Sequence, residues 1–175
     1  MMILKGSKIY LKKGLREEDY ALILKGLTNL DIIGFVCFAN ESVKLKTAGE
    51  AKKFFSEIEP DIVFGIHTFK DEFIGYTSLE KTENTDEYEF SVLILNKDFW
   101  GMGIGEEATK LTLKYAFDVL KGKKIILHTS EFHVKAIALY EKMGFKRTKL
   151  IPNDREIFLD GKWIRSGTVE MALCK

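Results

Sequence analysis

The chain has 175 residues and a mass of 20.1 kDa, the usual size of one globular domain, which argues against a two-domain enzyme or a repeat array. Hydrophobic residues make up 46% and charged residues 30%, a composition that buries a core and excludes a disordered tail. The formal net charge is only +1, so we expect a single domain, residues 1–175, with no overall basic field to bind nucleic acid.

The first half of the chain predicts a strand, two helices and then an antiparallel meander. The second helix begins with a capping-box pattern, Thr47 followed three residues later by Glu50, and ends at Pro60. A short polar connection at residues 70–72 predicts a hairpin between two of the meander strands. The predicted segments are an edge strand at Ser7–Leu11, a helix at Leu15–Leu27, a helix carrying Ala51, Phe54, Phe55 and Ile58, and strands at Ile62–Phe69, Phe73–Leu79 and Tyr88–Leu95.

The second half predicts alternating helices and strands that end in a hairpin. A long helix with apolar residues on more than one side is expected first, and Gly144 is the natural C′ residue, directly after the end of a later, shorter helix. Asp160-Gly161 is typical of a hairpin turn. The predicted segments are helices at Glu106–Leu120 and Val134–Met143, and strands at Lys124–Thr129, Phe145–Leu150, Ile157–Leu159 and Thr168–Leu173.

The cysteines and the apolar runs indicate the cellular setting. Cys37 and Cys174 are far apart and belong to no Cys/His cluster, which argues against a zinc site or a disulfide framework. We expect no metal and two buried or idle thiols. No apolar run reaches the roughly 20 residues that span a bilayer, and the first residues lack the apolar stretch of a secretion signal. These features predict a soluble, cytoplasmic protein that binds no membrane.

A glycine-rich segment joins a predicted strand to the long helix. Gly101, Gly103 and Gly105 let the backbone turn sharply and approach a ligand, and the N–H groups of a helix's first turn bind anions such as a diphosphate. A tight turn without a ligand is the plainer alternative. The G-x-G-x-G spacing differs from the G-x-G-x-x-G of dinucleotide sites, although Glu131 at the next strand end keeps a dinucleotide-binding module open.

Two motifs in this region resemble the GNAT superfamily of acyl-CoA N-acyltransferases. Residues 100–105, Trp-Gly-Met-Gly-Ile-Gly, are similar to its diphosphate loop, with Trp100 where Arg or Gln is usual. Residues 133–145 are similar to its signature Asn-x-x-Ala-x-x-Leu-Tyr-x-x-x-Gly-Phe, with His133 in place of Asn. Glu107-Ala108 resembles the branch that contains ribosomal-protein N-terminal and polyamine acetyltransferases.

This resemblance implies a mixed α/β (α+β) fold, a mostly antiparallel twisted sheet that splays in the middle and is flanked by about four helices. It also implies that acetyl-CoA is the co-substrate. Backbone N–H groups of the splayed strand would bind pantetheine and the thioester carbonyl, and the glycine loop would bind the diphosphate. The implied cofactor-binding residues are Leu93, Ile94, Leu95, Trp100, Gly101, Met102, Gly103, Ile104, Gly105 and His133, the last of which could instead cap its helix.

Acetyl transfer to an amine needs a neutral amine, a stabilised oxyanion and a proton for the departing thiolate. The resemblance implies that Tyr140 donates that proton; the alternative is a tyrosine packed in the core. Glu89 occupies the place of the carboxylate that deprotonates the amine, although strand alternation could leave it on a solvated face. His67 and His128 are predicted to be packed or solvated strand residues.

Charge patterning gives the class of acceptor. Residues 49–96 carry 11 acidic and 4 basic side chains, which favours a cationic amine such as a polyamine, an aminoglycoside or a protein N-terminus, unless these charges are only solvated surface. The resemblance implies that residues 29–48 wall the acceptor site. A homodimer stays open, and the alternative function is an acyl-CoA-binding sensor or scaffold without turnover.

Overall fold

The fold is built on one mixed sheet with helices on both faces. The structure, a computed structural model, describes residues 2–57 and 61–175, and within these ranges eight strands are ordered β1-β2-β3-β4-β5-β6-β8-β7. Neighbouring strands are antiparallel except β5 and β6, which are parallel. The strands are β1 Ile3–Lys5, β2 Ile9–Lys13, β3 Ile62–Thr68, β4 Phe73–Lys81, β5 Glu87–Ile94, β6 Lys124–Ser130, β7 Lys146–Leu159 and β8 Lys162–Cys174.

Six helices flank the sheet in the described ranges, four of them of nine residues or more. They are α1 Asp19–Leu27, α2 Leu30–Ile33, α3 Ala39–Ser42, α4 Ala48–Glu57, α5 Ile104–Asp118 and α6 Val134–Lys142. The predicted α/β architecture is thereby confirmed. Among the described helices, none has the length and apolar character that crossing a membrane requires.

Local sequence signals explain several of these boundaries. Thr47 Oγ1 accepts a hydrogen bond from Glu50 N (3.1 Å), as the capping box predicted, but the Glu50 carboxylate reaches Lys46 N (2.7 Å). The predicted end of this helix, including Ile58 and Pro60, lies outside the described residues. Gly144 follows α6 with φ of +93°, a value that suits glycine.

Two strand predictions at the sheet edges are wrong. Ser7–Leu11 was expected at an edge, but β2 is covered by β1, which pairs with it through Leu4 and Leu11. Phe145–Leu150 and Ile157–Leu159 were expected as separate strands, but they belong to one long strand, β7. The pairing of β7 with β8 tolerates the intervening polar residues because its register shifts twice.

The two faces of the sheet have separate cores. Helices α5 and α6 cover one face, where Phe64, Phe90 and Leu127 are almost fully buried. Helices α1 to α4 cover the other face around Phe55 and Tyr76. Alternate residues of one strand therefore enter different surroundings.

The sheet opens between β5 and β6. The two parallel strands are in register only at Glu87–Lys124, Tyr88–Ile125 and Glu89–Ile126. Beyond these pairs, Phe90–Ile94 of β5 and Leu127–Ser130 of β6 separate; we call this gap the fork. The predicted splay in the middle of the sheet is thus confirmed.

Candidate active site

The glycine loop leads from the open edge of β5 into α5. A single 3-10 turn, Lys97–Phe99, is followed by Gly101 and Gly103, whose φ angles of +74° and +77° are ones that L side chains rarely adopt. Gly105 lies in the first turn of α5 without a positive φ. The sharp turn therefore requires glycine at Gly101 and Gly103, and the expected role of Gly105 in the close approach of a ligand stays a prediction.

The loop offers a run of unpaired N–H groups. Within the described ranges, no N–H group from Gly101 through Met102, Gly103, Ile104 and Gly105 donates to a protein acceptor; the first bond at this end of α5 is Glu107 N to Gly103 O (3.0 Å). The first N–H groups of a helix have no partner inside the helix, and its dipole adds partial positive charge there. These groups can bind an anion.

Lys8, which sequence reasoning missed, adds a cation to this loop. Its Nζ donates to Met102 O (2.8 Å), and the Glu107 carboxylate accepts from Lys8 N (3.0 Å) and from Ser7 N. The turn between β1 and β2, the loop and α5 line a cavity of about 360 Å³. No local signal marks Lys8, because it lies 94 positions from Met102 in the sequence.

Trp100 connects the glycine loop to the edge of β5 at the fork. Its indole Nε1 donates to Ile94 O (3.1 Å), and Lys97 Nζ lies 5.7 Å from the centre of its ring. Trp100 is 44% exposed, so the rest of the ring faces solvent. The indole donor of Trp100 is thus bonded within the protein and is not available to a ligand.

Not all of the backbone N–H groups that were expected to be free at the edge of β5 are free. Consecutive N–H groups on a strand point in opposite directions. Leu95 N donates to Ile74 O of the preceding segment (2.9 Å), so its N–H is not free and the prediction for Leu95 is wrong. By the same alternation the N–H of Leu93 faces β4, where Leu93 is paired with Tyr76, so the expectation of a free N–H is wrong for Leu93 as well. Ile94 presents its N–H toward the fork, and its C=O there accepts from Trp100 Nε1.

Tyr140 lies in the last turn of α6 on the α5–α6 face. Its ring contacts Phe90 and Phe145 edge to face, with centroids 6.5 and 5.9 Å away, and the residue is only 8% exposed. Burial raises the pKa of the Tyr140 phenol to about 12, so it stays protonated at neutral pH. Within the described residues its hydroxyl makes no hydrogen bond.

Glu89 lies on the opposite face, at the last paired position before the fork. His128 Nδ1 is 2.8 Å from Glu89 Oε1, and His128 Nε2 is 3.5 Å from Glu170 Oε2. The hydrogen bond with Glu89 is the main cause that raises the pKa of His128 above its ordinary value. His128, set aside as an ordinary strand residue from the sequence, therefore contacts the predicted base.

His133 is the residue that precedes α6, and its ring stacks on Phe35 with centroids 4.3 Å apart. The side chain makes no cap hydrogen bond, so the capping alternative is wrong. Burial, with a smaller effect of Lys135, lowers the pKa of His133 to about 4, and the ring is neutral at pH 7. Glu131 Oε1 accepts from Gly167 N (2.6 Å), so one oxygen of the carboxylate that a ribose would need is already bonded within the protein.

Residues 29–48 form α2, α3 and their connections. Besides the Phe35 contact, Asn40 Nδ2 donates to Glu156 Oε2 of β7 (2.7 Å). Cys37, in this segment, and Cys174 are free and exposed, so of the two alternatives expected for the thiols, buried or idle, the buried one is wrong. Across the described residues no three His, Cys, Asp or Glu side chains are grouped so that they could hold a metal ion.

Comparisons with known proteins agree with this geometry. The chain is 32% identical over 75 residues to spermidine N(1)-acetyltransferase of Escherichia coli K12, covering 43% of this chain and 39% of that protein. The segments aligned with curated relatives span less than half of each relative's length.

Two solved structures have the same fold. Spermidine N-acetyltransferase from Vibrio cholerae, in complex with CoA and spermine, superposes with a TM-score of 0.80 at 21% identity, covering 97% of this chain and 96% of that one. A GNAT-family acetyltransferase from Bacillus anthracis superposes with a TM-score of 0.78 at 18% identity, covering 99% and 98%. Residues 14–146, more than half of the chain, match the acetyltransferase (GNAT) domain, and the chain therefore belongs to the GNAT acetyltransferase family.

Proposed function

We propose that this protein transfers an acetyl group from acetyl-CoA to a cationic amine, with Tyr140 as the general acid and Glu89 as the general base. The observation that carries the proposal is the run of unpaired N–H groups from Gly101 to Gly105, placed beside the fork. Acetyl-CoA, when bound, supplies an activated acetyl group and a thiolate leaving group.

The residues of the loop and fork fit this co-substrate. A diphosphate has enough oxygens to accept the unpaired loop N–H groups, and Lys8 adds positive charge next to them. The unpaired N–H of Ile94 can donate to a carbonyl of an amide-bearing chain that enters the fork, while the Ile94 C=O already accepts from Trp100 Nε1. No partner within the protein competes for these donors in the described ranges.

The two titratable groups approach the fork from opposite faces. The buried phenol of Tyr140 keeps its proton at neutral pH and can donate it to the departing thiolate as the C–S bond breaks. The Glu89 carboxylate is 41% exposed and can accept a proton from an ammonium group. Separate faces let donation and acceptance proceed without the two groups neutralising each other.

Negative charge around Glu89 favours a cationic acceptor. Glu80 is paired with Glu89 across β4 and β5, on the same face, and Glu170 lies beyond His128. Like charges directly opposite each other on a sheet are unfavourable unless a cation screens them. The similarity to spermidine acetyltransferases supports a polyamine as the first acceptor to test.

Binding of CoA is tested with a matched pair of glycine variants. Gly101 and Gly161 both have positive φ, +74° and +80°, and both have open space where a Cβ would lie. Replacing either with alanine should cost about 1 kcal/mol of stability. Only Gly101→Ala should weaken CoA binding, about tenfold or more by calorimetry; equal affinities in the two variants would contradict the loop assignment.

Turnover is tested by release of CoA thiol from acetyl-CoA with spermidine, spermine, an aminoglycoside and a peptide N-terminus. Tyr140→Phe should lower kcat about a hundredfold or more while CoA affinity stays unchanged, because only the proton donor is lost. Mass spectrometry of the amine identifies the product. CoA binding without thiol release across all the amines would instead support a sensor or scaffold.

A further inference from the structure

His128 lies between two carboxylates on the face of the sheet that carries Glu89. Its Nδ1 is 2.8 Å from Glu89 Oε1 of β5, and its Nε2 is 3.5 Å from Glu170 Oε2 of β8. An ionised carboxylate only accepts hydrogen bonds, so Nδ1 carries a hydrogen and donates it to Glu89. In the described part of the chain no other side chain donates to Glu89, whose second oxygen is therefore available to an amine.

Strand pairing fixes the position of the His128 ring. Glu89 and Ile126 are the last parallel pair of β5 and β6, and His128 is two residues further along β6, on the same face as Ile126. Glu170 is directly opposite His128 in the antiparallel pairing of β6 and β8. Thr148 Oγ1 of β7 donates to Glu170 Oε1 (2.6 Å), which leaves Oε2 facing the ring. The ring is thus held between two carboxylates whose places are set by the sheet.

The imidazolium form of His128 suits this position better than the neutral ring. The cation has a hydrogen on each nitrogen, so it donates to Glu89 and presents Nε2–H to Glu170, whereas a neutral ring protonated on Nδ1 faces Glu170 with a lone pair. The hydrogen bond with Glu89 is the main cause that raises the pKa of His128; burial opposes it, and the charges of both carboxylates add to it. His128 is therefore a cation over more of the neutral pH range than an ordinary histidine.

The other charges on this face leave His128 as the cation that contacts the proposed base. Glu80 of β4 is paired with Glu89 and adds negative charge. Lys124 lies four residues before His128 on the same face of β6, but its Nζ is paired with Glu87 (2.8 Å) and it acts more weakly on Glu170. An incoming ammonium group and the imidazolium therefore approach the same carboxylate.

We propose that His128 positions Glu89 and competes with the acceptor for it, so that binding of a cationic amine releases the Nε2 proton of His128 to solvent. This inference rests on the proposed function. An ammonium group bonded to the second oxygen of Glu89 would lie roughly 5–7 Å from the ring, since each contact to the carboxylate spans about 2.8 Å. A like charge at that distance disfavours the imidazolium. The Nε2–H bond breaks, its electron pair stays on Nε2, water accepts the proton, and Nδ1–H still donates to Glu89.

The coupling between the amine and the proton has a defined size. A like charge roughly 5–7 Å away in a partly solvated site should weaken proton binding at His128 about tenfold. Because such coupling is reciprocal, the amine should bind about tenfold more tightly to the protein with neutral His128 than to the imidazolium form. Proton release should then reach about half a proton per bound amine, at the pH midway between the two titration midpoints.

The test is calorimetry of spermidine binding to the CoA-saturated protein, in two buffers of different ionisation enthalpy and at several pH values near neutrality. The difference between the heats measured in the two buffers counts the protons released. Wild type should release about half a proton more than His128→Gln, in which the amide keeps an N–H donor for Glu89 but does not titrate. A proton lost by spermidine itself appears equally in both proteins. The aminoglycoside or the peptide replaces spermidine if turnover singles one of them out.

NMR of the imidazole nitrogens gives a readout independent of calorimetry. Neutral His128 should be protonated on Nδ1, and spermidine should lower its pKa. In Glu170→Gln, which keeps the histidine if His128→Gln fails to fold, the pKa of His128 should already be lower before spermidine is added. A neutral ring protonated on Nε2, a titration that spermidine does not move, or equal proton release in wild type and His128→Gln overturns this inference alone. A wild-type protein that releases no thiol with any amine overturns the proposed function and this inference with it.

Discussion

The two faces of the sheet at the fork differ sharply although neighbouring residues supply them. Phe90 points to the α5–α6 face, where it packs with Tyr140 and excludes water. Glu89, one residue earlier, points to the other face and contacts His128. Burial alone raises the pKa of Tyr140, while a hydrogen bond raises the pKa of His128. Because its side chains alternate, β5 contacts the proposed acid, Tyr140, on one face and carries the proposed base, Glu89, on the other.

The largest change in stability should follow from removing a buried aromatic side chain on the α5–α6 face. Phe90 is 2% exposed, and Phe90→Ala should lower the free energy of unfolding by about 3–5 kcal/mol because it leaves a cavity beside Tyr140. Urea unfolding measures this change. Phe132→Ala is the control, since Phe132 is 43% exposed and its loss should change stability by less than about 0.5 kcal/mol.

His133 and His128 have different surroundings, and these shift the pKa values of the two residues in opposite directions. The pKa of His133 is lowered from 6.5 to about 4, so the unfolded chain takes up a proton that the folded chain refuses. This contribution to stability is present above pH 6.5 and is lost as the pH falls, by about 2 kcal/mol between pH 7 and pH 5. Denaturation of His133→Asn at several pH values should show a flatter acidic decline than wild type.

His128→Asn should have the opposite sign. The pKa of His128 is raised, so its contribution is present below pH 6.5 and is lost as the pH rises through the folded value. Removing it should make the acidic decline steeper. Variants of His133 and His128 that change the slope in the same direction would contradict the contrast.

The smallest changes in stability are expected for two consecutive residues of β4, Thr77 and Ser78, whose side chains point to opposite faces of the sheet. Thr77 Oγ1 is 2.8 Å from Thr112 Oγ1 on the buried face, and Thr112 donates its own hydrogen to Ala108 O (2.9 Å), so Thr77 is the donor. Thr77→Val should cost about 1 kcal/mol. Ser78→Ala should cost less than about 0.5 kcal/mol in the same urea assay, because its partner Ser91 is exposed and water replaces the bond. Equal costs would contradict the difference between the faces.

Features encoded by local patterns were predictable from the sequence. The turn at Gly101 and Gly103, the boundaries of α6 and the hairpin at Asp160-Gly161 each depend on nearby residues. The splay of the sheet was expected from the resemblance to the GNAT family that the two motifs carry, and from no local pattern of this chain. The catalytic roles of Tyr140 and Glu89 stay predictions.

Features that depend on pairing between distant segments were not predictable. The hydrogen bond that occupies Leu95 N depends on the register of β5 against the segment at Ile74. The contact between Glu89 and His128 depends on where β5 and β6 separate, and no sequence pattern near either residue indicates that position. Lys8 reaches Met102 only because β1 and β2 form a hairpin that its short sequence hardly signals.

At the closed end of the fork, where β5 and β6 are still paired, ion pairs as well as strand pairing hold the two strands together. Lys123 and Lys124 form ion pairs with Asp86 (2.9 Å) and Glu87 (2.8 Å) next to the three registered pairs. Because β5 and β6 already part beyond this end, a molecule that enters there breaks no hydrogen bond between the strands. The fork is already open before the co-substrate binds. The rate of association should therefore be limited by diffusional encounter rather than by a slow opening of the sheet.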